Sequence, residues 1–360
     1  MTQKVAFVFP GQGSQSVGML GELAERYALV TQTYQEASDA LGFDLWEMVA
    51  NGPDTDLNQT HNTQPALLAA GVAVWRVWQE EEGILPVMMA GHSLGEYSAL
   101  VGAGAIAFAD AIRLVAERGR LMQEAVPEGT GAMAAILGLE DQAVIDVCTQ
   151  SAGDQVVQAV NFNSPGQVVI AGHREAVARA VDAAKEAGAR RAVELPVSVP
   201  SHCDLMRPAA EKLAEQLRGV AIQAPSIPVL HNASVTTESD PDIIRKRLVE
   251  QLYSPVRWVE TIEAMKEGVS KSLEDLADIG GKVQDAAIKA GYGPTVRAES
   301  VKKLVDSVVN WQTRSHEIIA DMRQLATRNA NEIRDAVEDG KRQLARLAEE
   351  GKGLALELNA

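Results

Sequence analysis

The chain has 360 residues, 46% hydrophobic and 23% charged, enough to bury a full core in two or three structural units. Its formal net charge of -16 excludes broad contact with phosphate backbones, so no nucleic-acid partner is expected. No apolar stretch approaches the roughly 18 to 20 residues of a membrane span, nothing reads as an export signal, and two isolated cysteines, Cys148 and Cys203, suit neither a disulfide framework nor a zinc cluster; a cytoplasmic protein without metal is expected.

In chain order, Val5-Ala6-Phe7-Val8-Phe9 is a continuous apolar run stopped by Pro10-Gly11, which predicts a buried strand feeding a tight turn. The turn, Pro10-Gly11-Gln12-Gly13-Ser14-Gln15, is no nucleotide loop: a G-x-G-x-x-G match needs glycine at Ser16, and no G-x-x-x-x-G-K run occurs in the chain. It reads either as a plain turn or as one that offers amides to an oxyanion. A second strand is predicted over 86–90, ending at Gly91, again followed by helical periodicity. Strand, sharp turn and helix recur as in an α/β domain with a mostly parallel sheet.

Gly91-His92-Ser93-Leu94-Gly95 stands between that strand and the helical Glu96-Tyr97-Ser98-Ala99-Leu100, the context a G-x-S-x-G nucleophile elbow requires. Its glycines remove Cβ atoms where the turn is tightest, so Ser93 can project beside a helix N-terminus with the Leu94 amide aimed at a tetrahedral oxyanion. The plainer reading has Ser93 capping the next helix. A serine nucleophile needs a base, to be found among His61, His92, His173, His202, His231 and His316. His92 should point away from the Ser93 hydroxyl, whereas His202 follows a strand end in Val199-Pro200-Ser201-His202, where a loop can reach over a sheet. No acidic residue is marked by position as a third triad member; a backbone carbonyl serves if it accepts the Nδ1 proton. Arg118, on the helix after the elbow helix, is either solvated surface or, if buried, a bidentate partner for a carboxylate.

Strand, helix, strand, strand, helix and strand are then predicted over 132–137, 141–151, 156–162, 168–171, 175–187 and 192–199, a ferredoxin-like order within an inserted subdomain at 125–197. Pro196 and Pro200 place the last strand at an edge. The α/β body occupies 1–124 and 198–268. Residues 269–360 read as a helical C-terminal extension, in which Val301, Leu304, Val305 and Val308 form an apolar stripe for packing on itself or on a second copy.

Gly11-Gln12-Gly13-Ser14-Gln15, Gly91-His92-Ser93-Leu94-Gly95, Arg118 and Pro200-Ser201-His202, with the connecting Asn163-Ser164-Pro165-Gly166-Gln167, closely resemble bacterial malonyl-CoA:acyl carrier protein transacylases over residues 1 to about 268. The resemblance implies an α/β-hydrolase-like large subdomain with a ferredoxin-like insert. It implies Ser93 as nucleophile, His202 as base, the amides of Gln12 and Leu94 as oxyanion hole, and the Gln251 carbonyl orienting His202. Arg118 would hold the malonyl carboxylate, and Gln64 and Asn163 match polar residues lining the family's cleft. The implied partners are malonyl-CoA and the acidic acyl carrier protein, for which Lys185, Arg190 and Arg191 are candidate docking residues; no cofactor is implied. The family's usual apolar strand and Gly-Pro-Gly turn are absent after Gly268, where Gly281-Lys282-Val283 is the nearest remnant. Two other readings stand beside transfer: a hydrolase using the same serine, and an interaction protein working through its helical arm.

Overall fold

The computed structural model describes residues 4–270, apart from 128, 196 and 198. Strand β1 (Phe7–Phe9) leads into α1 (Gly21–Arg26), α2 (Ala28–Leu41), α3 (Leu45–Asn51), α4 (Asp54–Leu57) and the long α5 (Thr60–Glu80). Strand β2 (Met89–Gly91) turns sharply into α6 (Gly95–Gly102), and α7 (Phe108–Ala125) follows. Next come β3 (Gly131–Leu137), α8 (Asp141–Ala152), β4 (Val157–Ser164), β5 (Gln167–His173), α9 (Arg174–Glu186) and β6 (Arg191–Glu194). A 3-10 turn at Asp204–Met206, α10 (Arg207–Arg218), β7 (Val229–Leu230), α11 (Pro241–Gln251) and a helix over 258–270 complete the described chain.

The architecture is the mixed α/β one expected. Strands β1, β2 and β7 form a parallel sheet in that order, Phe7 pairing with Met89 and Met89 with Val229. The regular ladder is shorter than the apolar runs at 5–9 and 86–90 suggest, although the Val87 amide already donates to the Val5 carbonyl. Phe7 packs edge-on against Trp75 and Trp78 of α5, so aromatic burial anchors the sheet to its longest helix.

The second sheet is antiparallel in the order β4-β5-β3-β6, the strand order of a ferredoxin-like unit. Alternation along β3 divides its faces: Ala132, Ala134 and Ile136 pack with α8 and α9 residues such as Val144 and Val177, while Met133 packs with Val169 and Cys203 on the other side. The expected strand at 192–199 stops at Glu194. It lies at the sheet edge, and after one further bond from Leu195 N–H to the Met133 carbonyl the chain meets Pro196, which has no donor to continue the ladder. The boundaries proposed for the helical extension, and the Gly281-Lys282-Val283 turn, fall outside the described residues save for 269 and 270, which end the last helix.

Candidate active site

The elbow between β2 and α6 is as tight as its glycines suggest. A Cβ on Gly91 would stand 1.8 Å from the Gly95 carbonyl carbon, and one on Gly95 would stand 2.2 Å from the Phe9 carbonyl oxygen, so side chains are excluded at both positions. Ser93 adopts φ 50, in the left-handed region. For a residue other than glycine this costs on the order of 1 to 3 kcal/mol and persists only where surrounding contacts over-determine it. The conformation lifts the hydroxyl out of the turn.

His202, in a loop, also has a positive φ, of 66, and is buried. Its Nε2 lies 2.7 Å from Ser93 Oγ and its Nδ1 lies 2.7 Å from the Gln251 carbonyl oxygen. The acceptor fixes the tautomer: Nδ1 carries the proton and Nε2 is free to receive one from Ser93. Burial first, and then the nearby Arg118 charge, push the His202 pKa down to about 3, so the imidazole rests neutral. His92 turns away, its Nε2 2.8 Å from Asn163 Oδ1 and its ring edge-on to Trp258. Burial holds its pKa below the usual histidine value.

Arg118 is buried because of where it falls on α7. Ala111, Val115, Arg118 and Met122, spaced by four and three, form the inward stripe of that helix, and the guanidinium takes a core position. Gly119 beside it allows close packing, since a Cβ there would come within 2.6 Å of the His61 Cα. The Arg118 Nη2 donates to Gln251 Oε1 at 3.0 Å and to Ser93 Oγ at 3.3 Å, and its carbon centre lies 5.4 Å from the Tyr97 ring centroid. Its hydrogen-bond acceptors among the described residues are neutral, and its Nε has none. Burial lowers its pKa, with the neighbouring Tyr97 hydroxyl and Glu96 carboxylate acting in the opposite direction.

These groups face a cleft of about 570 Å³. Gln12 and Leu94 lie on its wall with Ser93, His202 and Arg118; Met133, Val169 and Val199 supply an apolar side, and Gln59, Thr60 and His61 a polar one. Gln12 reaches the wall because the turn after β1 lies close on the elbow: a Cβ at Gly11 would be 2.5 Å from the His92 carbonyl oxygen. Gln64 and Asn163 stand one layer behind. Gln64 is buried with its Nε2 3.4 Å from Met122 Sδ, and Asn163 braces His92. Lys185, Arg190 and Arg191 are exposed and do not line this cleft, Lys185 standing in an ion pair with Asp182.

Beneath the elbow lies a buried polar cluster that inspection of the sequence did not single out. Glu96 accepts from His231 Nδ1, from the Asn232 main-chain N–H and from Gln251 Nε2 at 2.7, 2.9 and 2.8 Å. Glu96 sits one residue past the elbow motif, in the first turn of α6, but a first-turn acid ordinarily faces solvent, and only the fold brings β7 and α11 against it.

Residues 6–275 match the family model described as the acyl transferase domain. The chain is 60% identical over 284 residues to the malonyl CoA-acyl carrier protein transacylase of Salmonella typhimurium, an alignment covering 79% of this chain and 91% of the relative. The crystal structure of an acyl carrier protein S-malonyltransferase from Vibrio cholerae superposes with a TM-score of 0.72 at 61% identity, covering 74% of this chain and 87% of that one. A malonyl-transacylase solved in complex with a type II PKS acyl-carrier protein superposes with a TM-score of 0.73 at 60% identity, covering 74% and 86%. By sequence, fold and the arrangement around Ser93, the chain belongs to the malonyl CoA-acyl carrier protein transacylases of the acyl transferase domain family.

Proposed function

We propose that the protein transfers a malonyl group from malonyl-CoA to the pantetheine thiol of an acyl carrier protein, supplying fatty acid synthesis, through a malonyl ester on Ser93. The observation that carries the reading is a buried arginine with neutral acceptors beside a serine already hydrogen-bonded to a neutral histidine. Ser93 Oγ attacks the thioester carbonyl as its proton passes to His202 Nε2, giving a tetrahedral oxyanion held by the Gln12 and Leu94 amides. The carbon–sulfur bond then breaks, and CoA leaves with the proton from His202. In the second half the carrier's thiol gives its proton to His202, its sulfur attacks the ester, and Ser93 Oγ departs with that proton.

Arg118 supplies selectivity. A malonyl carboxylate would pair with its guanidinium, whereas an acetyl group would leave that charge buried and unmatched. The Gln251 carbonyl takes the orienting role that a carboxylate plays in other serine enzymes. Lys185, Arg190 and Arg191 offer positive charge to an acidic carrier on the surface around β6. Cytoplasmic residence is part of the proposal, in keeping with two free, buried cysteines.

Radiolabelled malonyl-CoA tests the reading. Label should appear on Ser93, be lost in a Ser93→Ala variant, and move to holo carrier protein. Release chiefly as free malonate would make the enzyme a hydrolase, and failure of Ser93 to take label would overturn the mechanism.

A further inference from the structure

Asn232, whose side chain helps hold Ser93 in its left-handed conformation, takes no part in the mechanism above. The Ser93 N–H donates to Asn232 Oδ1 at 2.6 Å, and Asn232 Nδ2 donates to the Gly91 carbonyl at 2.7 Å. One planar side-chain amide thus spans the elbow, accepting at residue 93 and donating at residue 91. The Ser93 carbonyl is held in turn by Gln251 Nε2 at 3.0 Å. Asn232 is fully buried just past β7, and its own backbone is fixed at both ends: its N–H donates to Glu96 Oε2, and its carbonyl accepts from the Arg257 N–H at 3.2 Å.

We propose that Asn232 is a positioning residue for the nucleophile, holding the peptides on either side of His92 so that Ser93 Oγ stays on His202 Nε2, with Glu96 fixing Asn232 from below. The proposal rests on the reading of Ser93 as the nucleophile. The chemistry of the contact selects the amide. Both elbow groups are main-chain polar atoms in a water-poor site, and one needs an acceptor while the other needs a donor. Alanine supplies neither. An ionised carboxylate would set one oxygen against the Gly91 carbonyl oxygen, whereas a protonated carboxyl restores the pattern, its O–H donating to Gly91 and its C=O accepting from Ser93.

That distinction gives a readout that loss of packing would not produce. In Asn232→Asp the introduced carboxyl is buried and neighbours the Glu96 carboxylate from α6, both of which favour its protonated form. His231 beside it in the chain, His92 within the elbow, Tyr97 from α6, Arg118 from α7, His202 and the Arg257 segment are the other titratable or charged groups around the elbow among the described residues. Activity relative to the unsubstituted enzyme should therefore be highest at low pH and fall as pH rises and the carboxyl ionises.

The experiment measures pre-steady-state acylation by malonyl-CoA and by acetyl-CoA, together with labelling of Ser93 by a fluorophosphonate probe, across pH. Asn232→Ala should slow acylation by both thioesters and labelling by the probe about 100-fold, the scale of a small misplacement of a reacting group, with little change in KM. Asn232→Asp should approach the unsubstituted rate at low pH and fall toward the alanine variant at high pH. Probe labelling of Asn232→Ala at the unsubstituted rate, or a pH-independent ratio for Asn232→Asp, overturns the proposal. If alanine prevents folding, the aspartate ratio decides alone. Failure of the unsubstituted enzyme to take label from either thioester or the probe would instead overturn the reading of Ser93, a separate result.

Discussion

Arg118 and His202 illustrate how burial, and after it a neighbouring charge, set the protonation of an imidazole. Removing Arg118 discards the proposed carboxylate partner, so Arg118→Ala should lower kcat/KM for malonyl-CoA about 1,000-fold, equivalent to roughly 4 kcal/mol for loss of a buried charge pair, while acetyl transfer changes far less. Comparison of the two substrates checks this, and equal losses would remove Arg118 from its role. The same charge helps depress the His202 pKa. A depressed base stays neutral and competent down to its own pKa, so the acid limb of kcat/KM should lie well below the ordinary histidine value of about 6.5. Arg118→Ala withdraws the repulsion that disfavours the imidazolium, and the acid limb of acetyl transfer should therefore move to higher pH. A limb near 6.5 in the unsubstituted enzyme, or no shift in the variant, would contradict this account.

At the scale of elements, the strand-turn-helix elbow depends on two glycines for space rather than for flexibility. Neither Gly91 nor Gly95 is among the glycines of positive φ; each is required because backbone atoms occupy the volume of a Cβ. Gly95→Ala would push α6 away from β1 and should destabilise the protein by about 3 kcal/mol or more, read as a lower urea midpoint, with loss of Ser93 labelling. A variant of unchanged midpoint would show that the elbow can relax. The helices also show how much element type was legible: α8 and α9 begin at or within one residue of the starts expected from periodicity, because amphipathic spacing is local. β6 is shorter than its alternation suggests, because a ladder needs donors as well as apolar faces, and Pro196 has none.

At the scale of the whole molecule, the charge of -16 and an acidic carrier should repel one another, so productive encounter needs a local basic surface. Charge reversal at Arg190 and Arg191 should raise the apparent KM for the carrier severalfold, with hydrolysis of the malonyl-enzyme unaltered, and added salt should weaken carrier binding in the unsubstituted enzyme. Unchanged carrier kinetics would locate the docking surface elsewhere. The sequence by itself determined the elbow, its serine, the βαββαβ order and the choice of helix for Arg118, since each is written in residues near one another in the chain or in periodicity along one element. Only the tertiary structure decided that Arg118 faces inward, that the Gln251 carbonyl stands behind His202, and that Glu96 and Asn232 lie buried beneath the Ser93 elbow. These contacts join residues 133 to 158 positions apart or, for His202 and Gln251, a loop and a helix end 49 positions apart. They come about through the parallel pairing of β1, β2 and β7, which sequence periodicity does not encode.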